Sequence, residues 1–383
     1  MVDIEVYLKL ICGYLFYLIY FRPRVLTKLS SIVIVITILL LYYVNSRGTQ
    51  ILVKRNPPEL FKGKLFQRFN ASACKVDDLV VNVFRYSSRT FCPQTFIPPI
   101  FPIYDEDTTV ATSYVQIHIL DENQNLSQFH LDTTLAGFAH YEDPRVLCVG
   151  KNLVAIICSR YVERISRMCV FLVDIKTQQT LGSIEFLCEL QMQKNWVIRL
   201  HEDSLLLYAS LEHHVIHQIP SISNIRGHTV TLVGPCQIGK WRGSSVVHES
   251  FMGPMVMVHR RYITSNSTRL FKEKFLPNYI NAFAVFDGFK VQKYSSEFTV
   301  TIKNVPGFVY ISGFRILDNQ DFEVCAGVTD CYSVKFIMRQ NEVESLFVDN
   351  QNNGINCVNG INGINGINGI NGIPHFEFEG TLM

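Results

Sequence analysis

Leu153-Val154-Ala155-Ile156-Ile157-Cys158 is an unbroken apolar run, and Met168-Cys169-Val170-Phe171-Leu172-Val173-Asp174 repeats it after a polar gap. Both runs are shorter than a typical helix, carry β-branched and aromatic residues and lack i, i+3, i+4 spacing, so they predict strands. Similar runs occur at Leu79–Arg85, Tyr114–Leu120, Ser204–Ala209, Val215–Ile219, Met255–His259, Ala282–Phe286, Phe308–Ile311 and Ser333–Met338. Many short strands separated by turns imply a sandwich, a barrel or a propeller. So many in one stretch favour an all-β propeller, and the lack of a single repeat period means that its blades have diverged.

Upstream of the first run lies Ala139-His140-Tyr141-Glu142-Asp143-Pro144-Arg145-Val146, followed by an apolar stretch from Val149 to Cys158 that reads as a strand. Pro144 disfavours the helical region for Asp143, which predicts extended or turn backbone there. Arg145 has a planar fork suited to fixing a carboxylate. A carboxylate presented at the mouth of a strand suits acid–base chemistry on a sugar bond.

The 383 residues allow one large domain or two small ones. Lys and Arg total 35 against 33 Asp and Glu, so no basic surface argues for nucleic acid. Eleven cysteines occur without a CxxC pair, which argues against zinc or thioredoxin-type sites. Buried free thiols are the default, with Cys74/Cys92 and Cys325/Cys331 as alternatives in an oxidising compartment. No cofactor or metal is expected. Asp105-Glu106-Asp107 reads as a solvated acidic loop.

Two apolar segments open the chain, Val6–Phe21 and Leu29–Val44, with Arg22, Arg24 and Lys28 between them. The second is a little short of the ~20 residues of a typical span, yet uncharged, and the basic loop before it stays cytosolic under the positive-inside rule. The expectation is a single-pass type II anchor, or a hairpin, with the globular part lumenal or extracellular. Sequons at Asn70, Asn125 and Asn266 fit that placement. The expected organisation is a first apolar segment (1–28), an anchor (29–45), a stem (46–68), the β-domain (69–345) and a low-complexity tail (346–383). In the tail Asn-Gly-Ile triplets run from Asn353 to Ile373, and the absence of proline from them argues against a collagen helix.

Five more stretches accompany the acidic one: Phe69-Asn70-Ala71-Ser72 with Val81–Arg85, Gln193-Lys194-Asn195-Trp196, Trp241-Arg242-Gly243-Ser244-Ser245 before a strand ending at His259, Tyr279–Asp287, and Gly327-Val328-Thr329-Asp330-Cys331. In this order, over roughly residues 69–338, they resemble the β-mannoside phosphorylase family and its relatives, the β-1,2-mannosyltransferases. Glu-Asp-Pro-Arg and Lys-Asn-Trp are the specific pieces. The resemblance implies a five-bladed β-propeller and inverting chemistry at one end of its channel.

By position, the resemblance makes Asp143 the general acid or, in synthesis, the base. Glu142 and Arg145 would orient it and contact the sugar. Arg85, Asn195, Trp196 and Asp330 would line the sugar site. Lys194, Arg242 and His259 would bind phosphate or another anion. Structural roles stand beside these: Arg85 and Arg242 as anchors of blade-to-blade carboxylates, Trp196 as core, Asp330 as a turn acid, His259 as a strand end.

The chain departs from the family at Ala71 for proline, Gln193 for glutamate, Ser244 for glycine, and Tyr279-Ile280-Asn281 for Tyr-His-Arg. The last removes two cationic groups and favours a transferase over a phosphorylase. The function implied is a membrane-anchored lumenal glycosyltransferase or glycoside-processing enzyme. Its partners would be a mannoside, with phosphate or a sugar nucleotide as an open choice beside it, and the membrane. The alternative is a catalytically inactive carbohydrate-binding or scaffolding propeller.

Overall fold

Strands buried on both faces read as continuous apolar runs, and the computed structural model shows why they dominate this sequence. It describes residues 59–61, 64–87, 113–136, 140–162, 165–188, 194–225, 227–234, 239–262, 278–303, 308–328, 332–348 and 373–383. Both N-terminal apolar segments, Asp105–Asp107, Cys92, the Asn266 sequon, Asp330 and Cys331 lie outside these. No helix among the described residues is long and apolar enough to cross a membrane.

The protein is an all-β, five-bladed propeller. Blade one is a meander of β1 (Glu59–Phe61), β2 (Lys64–Val76), β3 (Leu79–Ser87), β4 (Ser113–Leu120) and β5 (Leu126–His130). Blade two has β6 (His140–Gly150), β7 (Leu153–Val162), β8 (Ile165–Asp174) and β9 (Gln179–Cys188). Blade three has β10 (Val197–His201), β11 (Ser204–Ser210) and β12 (Val215–Ile219), after which β13 (Gly227–Val233) returns to lie parallel to β9. Blade four holds β14 (Arg242–Gly243), β15 (His248–Ser250), β16 (Gly253–Tyr262), β17 (Asn278–Asp287) and β18 (Lys290–Tyr294).

Then come β19 (Thr299–Ile302) and blade five, with β20 (Val309–Ile316), β21 (Phe322–Val328) and β22 (Tyr332–Met338), followed by the helix α1 (Gln340–Val348). The chain ends with β23 (His375–Phe378), paired to β19, and β24 (Thr381–Leu382), paired to β22.

Alternate residues of one strand serve two cores. In β7, Val154, Ile156 and Cys158 pack with Val81, Val83 and Ile117 of blade one, while Ala155 and Ile157 pack with Trp196, Ile198 and Leu205 of blade three. Blades three and four share Leu206, Tyr208, Val256 and Val258; blades four and five share Met257, Phe283, Phe314 and Phe322. The ring closes between blades five and one over a thin cluster of Ala71, Ala73, Phe84 and Cys325, with Met383 against it. There Gly313 and Gly327 leave room for Ser72 and Asn70; a Cβ on Gly327 would stand 1.9 Å from Asn70 Oδ1.

Tight hairpins link the strands, with left-handed backbone at Asp77 (φ 51°), Asn152 (φ 58°), Glu202 (φ 53°) and Gly288 (φ 57°), as two-residue turns require.

Several expectations are corrected. The stretch from Val149 to Cys158 is two strands broken at Lys151-Asn152. The segment expected as a stem (46–68) already contains β1 and the start of β2. The tail (346–383) is not uniformly low-complexity: after the triplets the chain rejoins the sheet through β23 and β24. Asn70 is 2% exposed, so its amide is not available to a glycan in the folded chain, whereas Asn125 is exposed. Cys74 and Cys325 are free and buried.

Candidate active site

The strands nearest the axis, β2, β6, β10, β14 and β20, bring the sequence motifs together. In β6 the register passes from Glu142 opposite Ser159 to Arg145 opposite Ile157, so Asp143 and Pro144 bulge against one residue of β7. β2 does the same at Asn70-Ala71, between Phe69 opposite Arg85 and Ser72 opposite Val83. Asn70 (φ 52°), Asp143 (φ 49°) and Asn195 (φ 65°) are all left-handed, a region that Asn and Asp tolerate better than other side-chain-bearing residues. Asp143 therefore does avoid the right-handed helical region, but through a bulge and not through extended backbone.

The bulges turn Asn70 and Asp143 toward each other: Asn70 Nδ2 donates to Asp143 Oδ1 at 3.0 Å. Lys194 Nζ lies 2.8 Å from Asp143 Oδ2 and 3.0 Å from Glu142 Oε2. Arg85 pairs with the other oxygen of Glu142, making it an anchor between blades one and two. Burial alone would raise the Asp143 pKa, but Lys194, then Arg85 and Arg145, hold the carboxyl well below the usual range. Burial would lower Lys194, yet Asp143 and Glu142 keep its ammonium charged well above the ordinary lysine value. Both members of this pair are thus ionised at neutral pH. The Asp143 side chain is 6% exposed, against 26% for Lys194 and 18% for Glu142, so solvent reaches the cluster from the Glu142–Lys194 side.

Arg145 is 1% exposed. Its fork does not grip a carboxylate: Nη1 donates to Trp196 O at 2.7 Å, and Nη2 to Gly243 O at 2.7 Å, Asn195 Oδ1 at 2.9 Å and Tyr310 Oη at 3.2 Å. It acts on Asp143 through its charge and on the ring by joining blades two to five, and its burial removes it from sugar contact. Trp196, 1% exposed, stacks on His217 at 5.1 Å and belongs to the core between blades two and three. Its burial takes it out of the sugar site that it was expected to line.

Of the residues expected to receive an anion, Lys194 is engaged by two carboxylates. His259 is buried, and burial followed by Arg145 lowers its pKa to about 3, so the ring is neutral. It shares a 2.8 Å hydrogen bond with Ser244 and faces Asn195 Nδ2 at 3.5 Å. Arg242, half-buried and paired in register with His259, has no ion pair or hydrogen-bonded side-chain partner among the described residues. Asn281 follows in the same cross-strand row; it is 1% exposed and both polar atoms of its amide lack partners among the described residues.

Asp143 and Lys194 therefore meet directly, and Arg242 stands one residue from the carbonyl that Arg145 holds. Asp330 lies outside the described residues. Sequence reasoning left Tyr310, Asn281 and the Asn70 amide unassigned. Asn70 was traceable, since Asn-Ala opposite Phe84 mirrors Asp-Pro opposite Cys158; Tyr310 has no local signal.

The chain matches no protein-family model and no curated protein. Similar solved structures include a glycosyl hydrolase from Bacteroides ovatus, 10% identical, covering 72% of this chain and 84% of that one, with a TM-score of 0.46. Others are a GDP-Man-dependent mannosyltransferase from Leishmania mexicana (9% identity, 72% and 85% coverage, TM-score 0.44) and a mannose phosphorylase from Leishmania mexicana in complex with phosphate ion (10% identity, 74% and 86% coverage, TM-score 0.46). At this distance the chemistry has to be argued from the side chains themselves.

Proposed function

We propose that this chain is a glycosyl-transferring enzyme acting on mannosides with inversion, in which Asp143 is the base. The observation that carries it is the geometry at the Asp143 carboxyl, where the Asn70 amide donates to one oxygen and the Lys194 ammonium pairs with the other, an arrangement that favours the ionised form. A general acid must carry a proton before the bond breaks, whereas a base must be free of one. The charges around Asp143 therefore support synthesis over cleavage.

In that direction an acceptor hydroxyl attacks the anomeric carbon while the bond to the leaving group breaks. Asp143 takes the hydroxyl proton, and the departing anion keeps the bonding pair. Arg242, unpaired among the described residues, neutralises that anion as charge develops. Lys194, with Arg85 and Arg145 behind it, sets the charge state of Asp143, and Asn195 holds the neighbouring wall. Sugar phosphates and sugar nucleotides both supply an anionic leaving group.

The test is incubation of the full chain with mannose-1-phosphate or GDP-mannose and a panel of mannosides. Product is expected from the wild type and none from Asp143→Asn, which keeps a residue tolerant of φ 49°. An active variant would sink the proposal. Anchoring through residues 29–44 with a lumenal or extracellular propeller belongs to the same proposal. Digestion of the propeller by protease added to the cytosolic side of sealed vesicles would refute that placement.

A second reading, carbohydrate binding without turnover, is favoured by one feature: both Asp143 oxygens already have donors. Saturable glycan binding with no product from either donor would select it.

A further inference from the structure

The last residues of the chain contact the propeller through interactions of their own. β23 lies parallel to β19, with Thr299 opposite His375, Val300 opposite Phe376 and Ile302 opposite Phe378. A tight turn cannot produce parallel pairing; ladder hydrogen bonds such as Thr299 N to Pro374 O at 3.0 Å and Lys303 N to Phe378 O at 2.8 Å hold the segment in place together with its side-chain contacts. Phe376 is 5% exposed and meets Phe298 edge-on at 5.7 Å; Phe378 stacks on Phe336 at 4.5 Å. His375 sits between the Thr299 and Thr301 hydroxyls at 2.9 and 3.1 Å, and Glu379 pairs with Lys303 at 3.0 Å. A Cβ on Gly380 would come within 2.7 Å of Ile302 Cγ2, so the backbone lies directly on the sheet. Met383 donates its amide to Ser333 O at 3.0 Å and packs on the thin cluster closing blades five and one.

That seam leads to Asp143. Ser333 is the register partner of Gly327, and Gly327 lies against Asn70, which donates to Asp143. Ser312 donates to Ala71 O, and Ser72 Oγ accepts from Val146 N at 3.3 Å across the blade one–two junction.

We propose that residues 373–383 are a separable clasp: a peptide ligand of the propeller that adds strands to it, seals the seam between blades five and one, and holds Asn70 in register with Asp143. Covalent linkage through residues 349–372 then supplies a high local concentration of the ligand. The groove selects a strand with aromatic residues at alternate positions, a glycine two residues after the second of them and an apolar residue three positions after the glycine. Docking itself is independent of the function proposed above; only its effect on the site rests on that reading.

The experiment places a specific protease site within residues 349–372, lets the intact chain fold and then cuts it. The freed fragment is expected to stay bound and to be displaced by an excess of synthetic peptide 373–383. The melting temperature of the cut protein should become concentration-dependent, as mass action requires. Phe376→Ala with Phe378→Ala in the peptide should weaken its binding at least ~100-fold, from the loss of one buried and one half-buried aromatic side chain. The Asn70 side-chain amide resonance should move on release and return when peptide is added back.

Loss of the fragment with an unchanged melting temperature would overturn the proposal. So would unfolding on release that peptide cannot reverse, and reversible docking with a stationary Asn70 resonance would overturn the link to the site. Docking that moves Asn70 beside a fully active Asp143→Asn variant would instead refute the proposed function alone.

Discussion

Lys194→Met removes the ammonium that lies 2.8 Å from Asp143 and 3.0 Å from Glu142 while keeping an unbranched side chain. Two unit charges about 4 Å apart at an effective dielectric constant near 20 interact by ~4 kcal/mol. At 1.36 kcal/mol per unit, that is ~3 pKa units of support for the Asp143 carboxylate. Burial already pushes this carboxyl upward, and without Lys194 it is opposed by Arg85, Arg145 and the Asn70 hydrogen bond. The pKa should rise into the ordinary carboxylate range.

The consequence for stability has a definite sign. In the wild type the folded-state pKa lies below the unfolded value of ~3.9, so the contribution of Asp143 is complete above about pH 4 and is lost as pH falls through the folded value. The methionine variant has little of that contribution to lose. Its deficit, ~3–5 kcal/mol at pH 7 for a broken buried pair, should shrink as pH falls below about 4. Carbon-13 titration of the Asp143 carboxyl reads the first effect, and urea denaturation between pH 7 and pH 3 reads the second. An unmoved carboxyl titration, or a deficit equal at both ends of that range, would refute the charge assignment.

Arg145→Lys should destabilise the fold by ~3–5 kcal/mol in chemical denaturation, because one ammonium cannot reach Trp196 O, Gly243 O and Asn195 Oδ1 together; a loss under ~1 kcal/mol would contradict its place as the joint of four blades. Gly327→Ala puts a Cβ 1.9 Å from Asn70 Oδ1, so the Asn70 amide should shift in its NMR spectrum and stability should fall by ~1–3 kcal/mol. An unchanged Asn70 resonance there would mean that the seam has slack.

The sequence revealed the parts of the fold that are buried on both faces. Leu153–Cys158 is continuous because Val154, Ile156 and Cys158 face one blade while Ala155 and Ile157 face the next. β2 was less visible, since Gln67, Arg68, Asn70, Ser72 and Lys75 interrupt its apolar residues where it lines the axis and the last seam. The two strands at 375–382 were hidden by the repeat before them, which set the composition of the whole region. At the site, Glu-Asp-Pro-Arg and Lys-Asn-Trp marked the right segments, but burial was not legible. Trp196 and Arg145 are residue types that sugar sites use, and here both are turned inward, one as core and one as a hub for carbonyl groups.

That inward turn has a common physical cause. Each blade presents an edge strand to the axis, and an edge leaves backbone carbonyl and amide groups without a sheet partner. Water normally satisfies such groups, yet near Arg145 the ring is closely packed, so side chains and the backbone of neighbouring blades do it. Arg145 takes the carbonyls of Trp196 and Gly243, Ser72 takes the amide of Val146, Ser312 donates to the carbonyl of Ala71, and Gly243 N reaches Asn195 O at 2.9 Å. The bulge that frees the Ala71 carbonyl from the ladder and its counterpart in β6 set Asn70 and Asp143 in left-handed backbone and face them toward each other. A polar axis is therefore a requirement of closing the ring, and the ionised Asp143 sits within the network that meets it. Substitutions that strip charge from this network must alter folding stability and the protonation of Asp143 together, because the same hydrogen bonds and ion pairs govern both.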